Sequence, residues 1–369
     1  MKMLKQIEIE GYRSIKAVSL ELRSLNIFIG PNGAGKSNFV SFFKMLAEMM
    51  GSRLQQYIGT SGRGQAILHY GPKATRQLLG RLEFQVDNGT DRYTARFAHA
   101  AGDTLVFAEE TLASYQTGFE NPKTVSLGAG HAETRLDEEA GSGDPTAKAI
   151  RDLLNRCRVY HFHDTSASAR VRQHCFIHDN RLLMSDAGNL AAVLYAYRSQ
   201  AKVAYRRIVT TVKKIVPEFD DFDLEPSRLN PNEILLNWRK RDRDYLFGPH
   251  QLSDGSLRAI AICTLFLQPE YDLPGVIVID EPELGLHPHA LEIIAGLIRA
   301  AATTTQVIAA TQSQTFLNFF DPDEIITVET QGGKSLFRRL EPAQLKDWLE
   351  DYSIGDLWQR NVLGGGPLP

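Results

Sequence analysis

Two short stretches hold residue types whose spacing suits phosphate chemistry. In GPNGAGKS, residues 30 to 37, three glycines precede a lysine and a serine with the spacing G-x-x-x-x-G-K-[ST]. Glycines let backbone N–H groups turn toward an anion. Lys36 supplies a charge that reaches β- and γ-phosphates, and the Ser37 hydroxyl suits Mg²⁺. In GVIVIDEPELGLHP, residues 275 to 288, an apolar run ends in two acids. Asp280 is suited to hold Mg²⁺, and Glu281 to orient an attacking water or accept its proton. Each stretch also has a bland reading, as a glycine turn with an exposed lysine and as a strand ending in solvated acids. Their occurrence in one chain favours nucleotide chemistry.

A third stretch is LSDGSLRAIAICTLFL, residues 252 to 267. Ser253, Asp254 and Gly255 form a polar turn immediately before a strongly apolar helix, a second anion site at a helix N-terminus. One γ-phosphate does not need two such sites from one chain. A dimer in which each chain lends its turn to the other's nucleotide resolves the surplus; an ordinary helix cap is the alternative.

These residues need elements to position them. Leu25 to Ile29 reads as a buried strand, and Phe39, Val40, Phe43, Met45, Leu46 and Met49 give residues 37 to 50 a helical spacing. The cradle thus lies between strand and helix. GVIVID reads as a strand buried on both faces, which puts Asp280 and Glu281 at its C-terminal edge, where open α/β sheets bind ligands. Upstream, residues 4 to 10 and 17 to 22 read as strands, and residues 81 to 125 alternate like antiparallel strands with a turn at DNGTD. Residues 128 to 145 are polar and glycine-rich and are expected to form a mobile loop; a helix over 146 to 156 and the strand RVYHFH follow. One long helix is expected over 188 to 216, then short strands to residue 245. The nucleotide core is therefore split, with its halves near the two ends. The expected division is 1 to 160, an inserted region over 161 to 246, and 247 to 369.

Composition narrows the classes. The 369 residues are 43% hydrophobic and carry a net charge of −3, so there is a sizeable core and no sign of a dedicated nucleic-acid binder. Cys157, Cys175 and Cys263 make no disulfide framework, no apolar run is long enough for a membrane span, and the N-terminus lacks a signal peptide's apolar core. A cytoplasmic protein without a membrane partner is expected. His161, His163, His174, Cys175 and His178 raise a zinc alternative, although their spacing fits no familiar zinc signature. The basic segment at 237 to 245, with Arg206, Arg207, Lys213 and Lys214, allows salt-sensitive DNA contact; interleaved acids favour a solvated or paired face.

With its motifs in this order, the chain resembles the ABC-class ATPases of the RecF, SMC and OLD-like group, in particular the compact bacterial AAA family ATPases. The resemblance rests on IEGYRSI at 9 to 15, the phosphate loop, YHFHDTS at 160 to 166, LSDGSLR, IDEPELGLHP, ATQS at 310 to 313 and the tail DYSIGDLWQRNVLGGGP. It implies an α/β head of ABC type with a mixed central sheet, an antiparallel β subdomain and a helical insertion. It implies ATP and Mg²⁺ held by Pro31, Asn32, Gly33, Ala34, Gly35, Lys36, Ser37 and Asn38, with Asp280 on the metal and Arg13 near the nucleotide. It further implies a homodimer enclosing two ATP molecules, in which Ser253, Asp254 and Gly255 complete the partner's site and residues 284 to 288 link the two. Gln312 stands where general ABC heads have a switch histidine, which puts fast hydrolysis in doubt, and their glutamine loop maps to His163 and Asp164.

The leading expectation is the regulatory ATPase of a bacterial anti-phage defence system that controls a separate effector such as a nuclease. The alternatives are a DNA repair or recombination ATPase acting on DNA directly, and a slow or non-hydrolysing ATP-dependent scaffold. The chain is expected to carry no nuclease domain of its own. Tyr352, Leu357 and Trp358 in the tail are expected either to anchor a partner or to pack on the chain's own core.

Overall fold

The structure, a computed structural model, describes residues 2–119 and 121–366. Its elements run β1 (Met3–Tyr12), β2 (Ile15–Glu21), β3 (Leu25–Ile29), α1 (Lys36–Met50), α2 (Leu54–Thr60) and α3 (Arg63–Ile67). There follow β4 (Gln77–Val86), β5 (Gly89–Ala100), β6 (Thr104–Gln116), β7 (Lys123–Gly128), α4 (Leu136–Ser142), α5 (Pro145–Asn155) and β8 (Cys157–Tyr160). The middle supplies β9 (Cys175–Phe176), α6 (Leu190–Gln200), α7 (Lys202–Ile215), β10 (Phe219–Asp223), β11 (Glu233–Ile234), β12 (Asn237–Lys240) and β13 (Leu246–Phe247). The last third adds α8 (Asp254–Leu267), β14 (Val276–Asp280), α9 (Pro288–Ala301), β15 (Gln306–Thr311), α10 (Gln314–Leu317), β16 (Ile325–Gln331), β17 (Lys334–Arg339), α11 (Pro342–Leu345) and α12 (Ile354–Gln359).

The short apolar runs become the centre. The main sheet has the order β17-β16-β3-β15-β14-β8, parallel from β16 to β8 with β17 antiparallel at one edge. Every residue of β3 and β15 is buried, as strands covered on both faces must be. Alternate side chains serve two cores. Ile27, Ile29, Ile277, Ile279 and Val307 pack with α6 to α9, while Phe28, Val278, Ile308 and Ile326 pack with α1 and a second sheet. That second sheet is antiparallel, in the order β2-β1-β4-β5-β6-β7, and directs Ile9, Leu82, Tyr93 and Phe107 toward α1. This is an α/β head with a mixed central sheet, an antiparallel β subdomain and helices inserted between its halves. Residues of α6, α7, β10 and β12, among them Val193, Ile208, Phe219 and Trp238, share one core with α8 and α9. No helix of the described residues is long and apolar enough to cross a membrane.

Two expectations are corrected, and for the tail one of the two expected alternatives is met. Residues 128 to 145 are not a mobile loop throughout: they contain α4, whose Leu136 and Ala140 are fully buried. The segment is pinned by Glu110, buried on β6, which accepts hydrogen bonds from His131 Nε2 (2.8 Å), the Thr134 hydroxyl and Arg135 N (3.1 Å). The long helix over 188 to 216 is two, because Ala201 leaves helical geometry at φ −133° and ψ 54°. The tail is core: Leu357 is fully buried, and Trp358 is buried with its Nε1–H donating to Gly365 O at 2.6 Å. Tyr352 is half-buried, with the Arg360 guanidinium 4.8 Å from its ring.

Candidate functional site

β3 delivers the chain into a turn with Gly33 at φ 78° and Gly35 at φ 116°, a conformation that favours glycine. Space also demands it at Gly35, where a Cβ would stand 2.0 Å from Ser335 Oγ. α1 starts at Lys36 with no side-chain cap, so its first N–H groups and its dipole remain for an anion. Lys36 is buried and folds over the turn, donating from Nζ to Gly30 O (2.6 Å) and Pro31 O (3.1 Å). Burial holds its pKa below the usual lysine range, against the pull of Asp280, Glu281 and Glu283. Asn32, Gly33 and Ser37 are exposed along this turn, while Ala34 is buried beneath it. Asn38 Nδ2 donates to Ser14 Oγ at 2.6 Å, tying α1 to the β1–β2 turn that carries Arg13. Arg13 has φ 48°, and its guanidinium lies 5.5 Å from the Tyr12 ring centroid.

The carboxylates meet this cradle from β14. Burial raises the pKa of Asp280, opposed by His163, Lys36 and a hydrogen bond with Ser37. Its Oδ1 is buried with no partner. Glu281 leaves the strand at φ 46°, its N–H donates to Ala310 O (2.7 Å), and its Oε1 accepts from Gln312 Nε2. His163 Nε2–H donates to the Asp280 carbonyl at 3.0 Å. Within one chain the structure thus gathers Lys36, Ser37, Asp280, Glu281 and Gln312.

An orphaned buried carboxylate oxygen beside a serine hydroxyl fits Mg²⁺, a hard cation that takes few protein ligands and completes its shell with water and phosphate. The open cradle and uncapped helix fit a triphosphate. The zinc alternative finds no ligand set: among the described residues no group of three or more His, Cys, Asp or Glu side chains is placed to hold a metal ion. His163 serves Asp280 instead, and His161 is held below its usual pKa, first by burial and then by Lys44 and His163.

Ser253 caps α8, its Oγ accepting from Ser256 N at 3.1 Å. The exposed Asp254 accepts from the buried Arg172 at 2.8 Å, and hydrogen bonds from Thr165 and Arg172 hold its carboxyl below the usual range. Gly255 lies against the next loop, where a Cβ would stand 2.4 Å from Gly285 O. Arg258 bonds Phe162 O (3.1 Å), His163 O (2.9 Å), Thr165 Oγ1 (3.2 Å) and Leu284 O (3.3 Å), making one unit of the turn, the segment after β8 and the loop after β14. Among the described residues no hydrogen bond links residues 253–255 to the cradle at 30–38. Of the basic segment, Lys213, Arg239 and Lys240 are paired with Asp220, Asp223 and Glu218. Sequence reasoning missed Arg172, Arg258 and Glu283, whose partners lie far along the chain.

A family model described as "AAA domain, putative AbiEii toxin, Type IV TA system" matches residues 25–318. Among solved structures, the chain is similar to one titled "Crystal structure of the SmcHead bound to the C-winged helix domain of ScpA", with a TM-score of 0.60 at 15% identity over 93% of this chain and 99% of that one. It is also similar to an Smc head domain with an extended coiled coil bound to the C-terminal domain of ScpA, derived from Pyrococcus furiosus. There the TM-score is 0.61 at 14% identity over 95% of this chain and 99% of that one. At these identities the likeness is one of fold, the ABC-type P-loop head. No curated protein is significantly similar to the chain.

Proposed function

The chain belongs to the AAA-domain family whose model spans its residues 25–318, and from that membership and the geometry of the site we propose that it is an ATP-hydrolysing head working as a homodimer. The observation that carries this reading is the unpartnered Asp280 Oδ1 beside Ser37 and Lys36, with Glu281 held next to it by Gln312. Lys36 and the open first turn of α1 would hold the phosphates, and Ser37 with Asp280 the Mg²⁺. When bound, the ion neutralises charge that develops on the transferred phosphoryl group. Glu281 is the proton acceptor, and the Gln312 amide fixes its direction without carrying a proton or a charge. Turnover is therefore slow, which suits a switch that holds its ATP state.

Ser253, Asp254 and Gly255 act on the partner's nucleotide, the first two being exposed, the glycine half-buried, and the turn tied to elements of its own lobe. The family description names a toxin–antitoxin system, a setting compatible with a regulator of a separate effector in anti-phage defence. The Smc heads in the similar structures are bound to ScpA, so a head of this fold can carry a second protein. A head acting directly on DNA draws less support, since three cations of its basic segment are neutralised by acids.

Glu281→Gln tests the reading. The replacement keeps an oxygen for Gln312 and removes the proton acceptor. ATP affinity should be retained, a long-lived ATP-bound dimer should accumulate, and hydrolysis should fall about 10²- to 10⁴-fold. Mixing Ser253→Arg with Lys36→Ala chains tests sharing, because their heterodimer has one whole site. Hydrolysis at the parental rate in Glu281→Gln would refute the base assignment, and no recovery in confirmed heterodimers would refute the shared site.

A further inference from the structure

Glu283 is a third carboxylate at the site, and nothing above gives it a role. The residue is half-buried with its carboxyl group turned inward, and desolvation pushes its pKa up despite hydrogen bonds that favour the charged form. One oxygen does all the visible work: Oε1 accepts from the Thr311 hydroxyl and from Gln312 N at 3.1 Å. The other, Oε2, is buried without a partner. Thr311 is fully buried at the end of β15, and its Oγ1 in turn accepts from Ser313 N at 3.0 Å. The residue that Glu283 holds by its backbone, Gln312, is the one whose side chain holds Glu281. The backbone of Glu283 also carries the loop that follows, its carbonyl accepting from Leu286 N at 3.1 Å.

We propose that Glu283 is a positioning residue for ATP hydrolysis: it fixes the Thr311–Gln312 backbone, and through the Gln312 amide it fixes the direction of the Glu281 carboxylate. The inference rests on the ATPase reading given above. Glu283 does not itself take the proton, because its one bonded oxygen is committed to two donors and the other is shut away from solvent. The geometry requires an acceptor at Oε1 and no charge. A glutamine can supply that acceptor, with its amide nitrogen where Oε2 now lies.

Steady-state hydrolysis and equilibrium ATP binding by the full chain decide the matter. Glu283→Ala frees the Thr311–Gln312 segment, and kcat should fall about 10- to 100-fold, the scale of a misplacement near 1 Å, while KM and ATP affinity hold within about threefold. Glu283→Gln should keep kcat within about threefold of the parent. Glu283→Ala combined with Gln312→Ala should be no slower than the slower single variant, since both act through one contact. A Glu283→Gln as slow as Glu283→Ala would overturn the proposal by making the carboxylate itself necessary. So would multiplying losses, or an unchanged kcat in Glu283→Ala. If Glu283→Ala does not fold, Thr311→Val keeps the shape while removing the hydroxyl that donates to Glu283 and accepts from Ser313 N. There kcat should fall about three- to tenfold with KM unchanged, and an unchanged kcat would overturn the proposal. A parent chain that does not hydrolyse ATP sinks the ATPase reading and this inference with it. A parent that hydrolyses, is silenced by Glu281→Gln and keeps its full kcat in Glu283→Ala sinks this inference alone.

Discussion

Adding one methyl group at two glycines of the same loop should weaken ATP binding to very different extents. Gly33 has φ 78° and no atom within 4 Å of where a Cβ would stand, so Gly33→Ala meets only backbone strain, about 1–2 kcal/mol. Gly35 has φ 116°, and its Cβ would lie 2.0 Å from Ser335 Oγ and 2.8 Å from Ser335 Cβ. Ser335 is almost wholly buried in β17 and is hydrogen-bonded to Ser14 at 2.7 Å, so it has nowhere to go. Backbone strain of about 1–3 kcal/mol is then joined by an overpacking cost of about 1–3 kcal/mol. A free loop can open to relieve this, but a loop closed on phosphates cannot, so the strain is charged to binding. At about 1.4 kcal/mol per decade, Gly35→Ala should weaken binding at least about 30-fold, and Gly33→Ala about 5- to 30-fold. Calorimetric titration with Mg²⁺-ATP, beside thermal melts to confirm folding, reads both. Adding Ser335→Gly to Gly35→Ala removes both clashing atoms and should recover about tenfold, leaving the backbone strain. Binding by Gly35→Ala within about threefold of the parent, or weaker binding by Gly33→Ala than by Gly35→Ala, would refute the argument.

Burial raises the carboxyl of Asp280 above its unfolded value, so its ionised form destabilises the nucleotide-free fold at neutral pH. Asp280→Asn should therefore melt above the parent at neutral pH, by a margin that shrinks as pH falls through the carboxylate range, and it should lose the further stabilisation that Mg²⁺-ATP gives the parent. Cys157 and Cys263 are buried with thiols pushed up to about 12, whereas Cys175 is half-buried. Thiol titration at mildly alkaline pH should thus count at most one reactive group in the folded chain and three after denaturation. Glu110→Ala leaves the buried Tyr93 and the half-buried His131 and Thr134 without their shared acceptor and should cost about 3–5 kcal/mol in chemical denaturation. ATP affinity per folded molecule should be unchanged.

What was legible in the sequence follows from range. The phosphate loop and GVIVID could be read because a glycine spacing and an apolar run are local, and the strands and helix they imply are β3, α1 and β14. Gln312 could be placed from its strand. Glu283 could not, because in DEPELG it looks like one more solvated acid, and only β15 running parallel beside β14 brings Thr311 and Gln312 onto it. Arg172 and Arg258 reach carbonyls some 80 and 95 positions away, which no periodicity encodes. The segment from 128 to 145 misled for a similar reason. Its glycines and acids suggest a loop, yet a buried Glu110 on a neighbouring strand and two apolar side chains suffice to fold α4 against the sheet.

Ser253 caps a helix, and that ordinary role does not compete with a role toward a partner's nucleotide. The cap accounts for the serine alone. Gly255 is dictated by the loop it touches, since any side chain would strike Gly285 O, and Asp254 is held in place by an arginine that is itself buried. Arg258 then fastens the same turn to the carbonyls of Phe162, His163 and Leu284. Since His163 also donates to the Asp280 carbonyl, Arg258 beside the exposed turn is two hydrogen bonds from the strand end that carries Asp280. Through Gly285 the turn lies two residues from Glu283. A ligand or partner that displaces the turn thus meets backbone contacts at both ends of residues 280 to 285, without a long side-chain relay. Coupling of this kind needs two arrangements with different contacts. If the proposed dimer couples its halves in this way, the contacts that differ are those of Arg258. Arg258→Ala is then expected to hydrolyse ATP at a rate that no longer rises with protein concentration while calorimetric titration shows unchanged ATP affinity, and a rate that still rises as in the parent would refute the coupling.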